Sequence, residues 1–214
     1  MPRYSLMKTT MTTDQLAKKT GSLIRNICEQ MILKPGSLKL DVLPMTQSFI
    51  ICIVASYSDA KRIVGAGGVH FEALKQLVAL AGRKFGINGE LDAIQDDGNR
   101  LEDRYPEFEA SQDWPKAKVA SLFEAMATAV FEDEKAIRIN IKDGSAGLSI
   151  VEVACSEAES REVIEKFRGI IAFLAKPIGK GNRRRLMVDF TTIGTSERQP
   201  ASADGRFAKA ISRQ

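Results

Sequence analysis

Two halves of this 214-residue chain spell nearly the same order of elements, and that repetition constrains the fold more than any single motif does. In the first half, Thr12-Thr13-Asp14-Gln15 has the form of a capping box, and Leu16, Leu23, Ile24, Ile27 and Met31 follow at helical spacing. This predicts a helix from Asp14 to Leu33, stopped by Lys34-Pro35-Gly36. Leu38, Leu40 and Val42 alternate with Lys39 and Asp41 as in a half-exposed strand, and SFIICIVAS, apolar nearly throughout, predicts a strand buried on both faces. Asp59 to Val64 is helical in pattern, a cluster of glycines follows at Gly65, Gly67 and Gly68, and Phe71, Leu74, Leu77, Val78 and Ala81 then mark one helical face. Gly86 and Gly89 close that helix before the short strand ELDAI.

In the second half, Trp114-Pro115 opens a helix carrying Val119, Leu122, Phe123, Met126 and Val130, and AIRINIK alternates as a strand. Asp143-Gly144-Ser145-Ala146-Gly147 turns the chain into LSIVEVAC. Val163, Ile164, Phe167, Ile170, Ile171 and Leu174 form a helical face that Lys176-Pro177 and Gly179-Lys180-Gly181 end, and RRLMVDF is a last strand. Val54-Ala55 laid on Val153-Ala154 gives an offset of 99, and Leu74 laid on Phe167 gives 93. The shortfall of six equals the length of GAGGVH, Gly65 to His70, so the expected second copy has lost the glycine loop and joined its two helices. The boundaries are 1–95, an acidic linker at 96–113, 114–190, and a flexible basic tail at 191–214.

Charge follows these boundaries. Residues 1–95 hold 12 basic and 7 acidic side chains, 96–113 hold 2 and 7, 114–190 hold 13 and 11, and the tail holds 4 and 2. A moderately basic first segment suits a polyanionic partner. No apolar run approaches the length of a membrane span, and MPRYSLMKTTM lacks the apolar segment of a secretory signal, so a cytoplasmic protein is expected. Cys28, Cys52 and Cys155 sit in apolar runs without metal-ligand spacing and read as small buried hydrophobes. With one histidine, His70, no multi-histidine metal site can form within one chain, and no nucleophile elbow or dinucleotide fingerprint occurs. The expectation is a non-enzyme without cofactor or metal.

Gly-x-x-Gly occurs three times: Gly65 to Gly68, Gly86 to Gly89 and Gly144 to Gly147. The second ends a helix before a strand and the third joins two strands; only the first lies between two helical patterns. There the run Asp59-Ala60-Lys61-Arg62-Ile63-Val64-Gly65-Ala66-Gly67-Gly68-Val69-His70-Phe71-Glu72-Ala73-Leu74, within the span Asp14 to Ile94, resembles a type II KH domain of the small bacterial single-KH kind. The resemblance implies an α+β fold of two KH-like modules, each a small three-stranded sheet packed by helices on one face, the second degenerate and lacking the loop. It also implies single-stranded RNA as partner, its backbone approaching main-chain N–H groups at a helix N-terminus. Gly65, Ala66, Gly67 and Gly68 are assigned to that backbone contact, with Lys61, Arg62, His70 and Lys75 as phosphate or base partners. Family loops usually carry Lys or Arg between the two glycines; Ala66-Gly67 stands there instead, which removes part of the electrostatic attraction.

The basic turn Lys180, Arg183, Arg184 and Arg185 is a candidate auxiliary phosphate contact or a solvated turn, and it lacks Walker spacing. The expected function is non-catalytic binding of cellular or viral single-stranded RNA, with the second module extending the surface, binding a protein or self-associating. The rivals are a structural or protein-interaction module on a KH scaffold and a single-stranded DNA binder. A bacterial gene and a gene of a large bacterial virus both fit.

Overall fold

Thr12 caps the first helix as its sequence requires. Its hydroxyl accepts from the Gln15 N–H at 3.2 Å, and the Gln15 side-chain oxygen accepts from the Thr12 N–H at 3.1 Å. The computed structural model describes residues 11–32, 36, 38–96, 114–133, 136–144, 147–156 and 159–193. The amino-terminal lead, the Lys34-Pro35 stop, the linker from residue 97 to 113 and the tail after Ile193 lie outside the described residues. The elements are α1 (Thr13–Met31), β1 (Lys39–Pro44), β2 (Ser48–Ala55), α2 (Tyr57–Val64), α3 (Val69–Arg83) and β3 (Asn88–Asp96), then α4 (Lys116–Val130), β4 (Ile137–Asp143), β5 (Leu148–Ser156), α5 (Arg161–Gly181) and β6 (Arg185–Ile193). The fold is α+β.

The first sheet has the order β1-β2-β3 and the second β4-β5-β6. In each, the first pair is antiparallel and the second parallel. A hairpin suffices for the first connection; the parallel pair requires a crossover, supplied by α2 and α3 in one module and by α5 in the other. Helices α1 and α3 pack on the first sheet, α4 and α5 on the second, and the two helical layers pack on each other. The order through the molecule is therefore sheet, helices, helices, sheet. Buried side chains of both modules, among them Ile24, Ile27, Leu74, Leu77, Phe123, Met126, Phe167 and Ile171, form one continuous cluster, each worth about 1.5–3 kcal/mol of transfer free energy. The modules are also tied by Lys84 Nζ donating to the Thr128 carbonyl at 2.7 Å, by the Arg83–Glu162 ion pair at 3.1 Å, and by Gly181 packed on the Gln30 backbone. Among the described residues no helix is long and apolar enough to cross a membrane.

Four expectations need correction. Strand β2 is not buried on both faces: Phe49, Ile51, Ile53 and Ala55 point to the helices, while Ser48, Ile50, Cys52 and Val54 are half-buried on an outer face that none of the described helices covers. Cys52 accordingly is not a core residue, whereas Cys28 and Cys155 are, and burial pushes their thiols up to about 12 and about 11. Helix α5 runs through Pro177 to Gly181; the proline leaves the Phe173 carbonyl without its helical donor, at a residue 51% exposed, where solvent reaches it. Gly89 belongs to β3, because that strand begins at Asn88.

The fourth correction concerns how the halves superpose. Buried Phe49, Ile51, Ile53 and Ala55 correspond to buried Ser149, Val151, Val153 and Cys155, an offset of 100. Gly82 and Gly179 each lie against the first residues of the following strand, at an offset of 97, and Asn88 and Arg185 begin those strands at the same offset. The second module is thus three residues shorter in the crossover, not six. What it lacks is the separate helix α2, while α5 extends as helix through positions equivalent to the loop. The earlier offset of 93 differs from 97 by four residues, one helical turn, and such a shift lays an apolar stripe back onto itself.

Candidate nucleic-acid interface

Helix α2 sets the site. Ser56 caps it, its hydroxyl accepting from the Asp59 N–H at 3.4 Å, and Asp59 and Ile63 are buried. Tyr57, Lys61 and Gly65, spaced four apart, then form one strip on the solvent side leading to the loop, with Tyr57 and Lys61 exposed. The helix ends where the Gly65 N–H donates to the Lys61 carbonyl at 2.9 Å and φ turns to 75°. Ala66–Gly68 make a single 3-10 turn, with the Gly68 N–H donating to the Gly65 carbonyl at 3.2 Å. Gly67 and Gly68 have φ of 65° and 80°, and no described residue lies within 4 Å of where a side chain would begin. Packing therefore does not demand glycine there; the left-handed backbone favours it, with Asn and Asp the side chains that tolerate it best. Gly68 is also the N-cap of α3 and offers no side chain to its first N–H groups. The loop thus presents main chain, open space and the positive end of a helix dipole together.

The cations assigned to this site differ in availability. Arg62 Nη1 lies 3.1 Å from Asp59 Oδ1, with the two side chains 11% and 1% exposed, so its charge serves to neutralise a buried carboxylate. Lys61 is exposed and holds its ammonium 4.1 Å from the centroid of the Tyr57 ring. Lys75 is about half exposed, 3.9 Å from Glu72 Oε2. His70 Nδ1 is 2.9 Å from the Arg62 carbonyl; since a carbonyl has no proton, Nδ1 donates, and the imidazole clasps the end of α2 to the first turn of α3. The ring stacks on Gly65 closely enough that a Cβ there would fall 2.6 Å from His70 Cγ. Tyr57, not one of the residues the motif points to, stands one turn before Lys61 on this strip.

The structure brings the basic turn to the same end of the molecule. Arg25 Nη1 donates to the Leu38 carbonyl at 3.2 Å, and Lys39 pairs with Val54, so the end of α1 borders the strand end from which α2 departs. Gly181 packs on Gln30, at that end of α1. In the turn itself, Arg183 has φ 54°, Arg185 opens β6 with an exposed side chain, and Lys180 is exposed in the last turn of α5. Arg184 is different: its guanidinium lies 5.6 Å from the Trp114 ring and its Nε is buried without a hydrogen-bond partner among the described residues, which suits packing better than ligand contact.

Two grooves, of about 400 Å³ beside Ile137 and Ile139 and about 330 Å³ beside Ala79 and Lys166, lie away from the loop. Among the described residues no group of three or more His, Cys, Asp or Glu side chains is placed to hold a metal ion. No protein-family model matches the chain, and no curated protein sequence matches it.

Proposed function

We propose that the chain binds single-stranded RNA, without chemistry, at the loop Gly65–Gly68. The observation that carries this reading is the loop's geometry: two exposed or half-exposed glycines in left-handed conformation, with open space in front of them, capping α3 with bare backbone. Phosphate oxygens are the ligand such a surface favours, since side chains at Gly67 and Gly68 would obstruct approach to the N–H groups. The KH resemblance of Asp59 to Leu74 supports the same reading. Lys61, Lys75 and, at the same end, Lys180, Arg183 and Arg185 supply cations; Arg62 serves the loop through Asp59 and His70 through the Arg62 carbonyl.

Filter binding of RNA, single-stranded DNA and duplex across a salt series tests it. The three phosphates that link four clamped nucleotides predict a slope of about −2 in log K against log salt for a single strand. Changing Ala66 and Gly67 both to Asp places two carboxylates beside the phosphates and is expected to abolish RNA binding with an unchanged circular dichroism spectrum. Unchanged affinity in that variant removes the loop as the site. Preference for single-stranded DNA replaces RNA as ligand, and absence of binding leaves the protein-interaction reading.

A further inference from the structure

Helix α2 carries an arrangement that the loop reading does not use. Tyr57 is 40% exposed at the start of the helix, and the Lys61 ammonium lies 4.1 Å from its ring centroid. Both belong to the solvent strip that ends at Gly65. From Tyr57 to Gly65 the strip rises about 12 Å. Four nucleotides, the stretch a KH-type loop clamps, cover about 10 Å even at stacked spacing and more when extended, so one short strand held at the loop reaches the ring.

Resting on the proposed function, we infer that Tyr57 is a stacking platform for one unpaired base, and that this base displaces the Lys61 ammonium from the ring and delivers it to a phosphate. Between these two ring contacts the base is the stronger. A cation over an exposed aromatic ring is worth about 2- to 5-fold in equilibrium constant, whereas a base stacked on an aromatic side chain is worth about 5- to 150-fold. The displaced lysine is not wasted, because it stands one turn before Gly65. The loop has Ala66-Gly67 where a cation would ordinarily sit, and Arg62 is bound to Asp59, so Lys61 is the side chain on this strip able to supply the missing charge. Stored on Tyr57 in the unliganded protein, it becomes available only when a base arrives. A duplex, whose bases are already stacked and paired, cannot trigger the exchange.

The test uses the full chain, a short oligouridylate, and the same oligomer with a single abasic nucleotide walked along it. Tyr57→Phe keeps a ring and is expected to keep the abasic penalty at the same position. Tyr57→Leu is expected to weaken binding about 5- to 150-fold and to erase the penalty of the abasic nucleotide at one position, with the salt slope retained. Lys61→Met is expected to reduce the slope by about 0.7, one phosphate's share, while keeping the abasic penalty. If Tyr57→Leu retains native affinity and the abasic penalty while the Ala66→Asp, Gly67→Asp variant loses binding, the loop reading stands and the platform is overturned. If that double variant binds normally, the loop reading fails and takes the platform with it. Circular dichroism of each variant separates either result from misfolding.

Discussion

The two modules lay three strands in the same order with the same directions, yet cross from their second to their third strand by different routes. The second uses one helix of 21 residues, α5; the first uses an eight-residue helix, a glycine turn and a 15-residue helix. Both routes bury an apolar helical face on a sheet, so the simpler one shows what the crossover needs for folding. Helix α2 and the loop exceed that requirement, and they carry costs that the second module avoids. Two glycines sit in left-handed conformation, a carboxylate is buried at Asp59 and needs Arg62, and His70 is spent clasping the turn. Local structure of this kind, dispensable to the fold and costly to hold, concentrates where a protein binds something.

The comparison holds only if the modules are two copies of one plan sharing a core, and the largest predicted effect tests that sharing. Phe167 is fully buried and meets Phe131 edge to face, with centroids 4.9 Å apart and planes at 84°. Phe167→Ala is expected to cost about 3–5 kcal/mol. Because the core is continuous from Ile24 to Phe167, the loss is expected to appear in both modules at once. Denaturant titration followed by the fluorescence of Trp114, in the second module, and by hydrogen exchange of β2 amides, in the first, checks this. Native-like protection of β2 after the Trp114 transition would mean two separately folding units.

A smaller effect tests the superposition itself. Gly82 lies against the Ile87 carbonyl, and a Cβ there would fall 2.8 Å from the Gly89 nitrogen; at Gly179 it would fall 2.8 Å from the Arg184 carbonyl oxygen and 3.1 Å from the Leu186 nitrogen. Both helices approach the backbone of the strand they lead into, which neither can do with a side chain. Gly82→Ala and Gly179→Ala are expected to destabilise by about 1–3 kcal/mol each, and by similar amounts if the positions are equivalent. A neutral substitution at one and a costly one at the other, in thermal unfolding, would break the offset of 97.

Most elements were legible because periodicity reports which face of a segment is buried: the capped α1, the alternating β1 and β4 and the apolar stripes of α3 and α4 all lie within a few residues of their expected places. What periodicity cannot report is what covers the other face. SFIICIVAS is apolar on both sides, but helices occupy only one, so Ile50, Cys52 and Val54 remain half-buried. Nor can it count helical turns, hence the four-residue slip in the superposition. At the site, the position of the loop was legible from three glycines between helical patterns. The employment of its cations was not. Asp59 and Arg62 are three apart, the spacing of a helical ion pair, but only burial reveals that the pair faces inward. The bond from His70 to the Arg62 carbonyl spans a turn and leaves no periodic trace.

The smallest predicted effect asks where the modules differ in their response to acid. In the second module, Asp143 at the end of β4 accepts from Lys116 Nζ at 2.9 Å, Ser149 Oγ at 2.9 Å and Trp114 Nε1 at 3.2 Å, pinning the start of α4 to the β4–β5 hairpin. The hydrogen bond from Lys116, followed by that from Ser149, holds its carboxyl below the ordinary Asp value of 3.8. The first module ties the start of α1 to its β1–β2 hairpin without a charge, the Thr13 hydroxyl donating to the Thr46 carbonyl at 3.1 Å. Since the folded carboxyl of Asp143 titrates below the unfolded one, its contribution to stability is complete above 3.8 and disappears as pH falls through the lower folded value. Asp143→Asn removes that titration, so the native protein's advantage over the variant is expected to shrink below pH 3.8 and to be constant above it. Chemical unfolding of both proteins from neutral pH downward measures the difference. Parallel curves through that window would place the acid sensitivity elsewhere and remove this asymmetry between the hairpins.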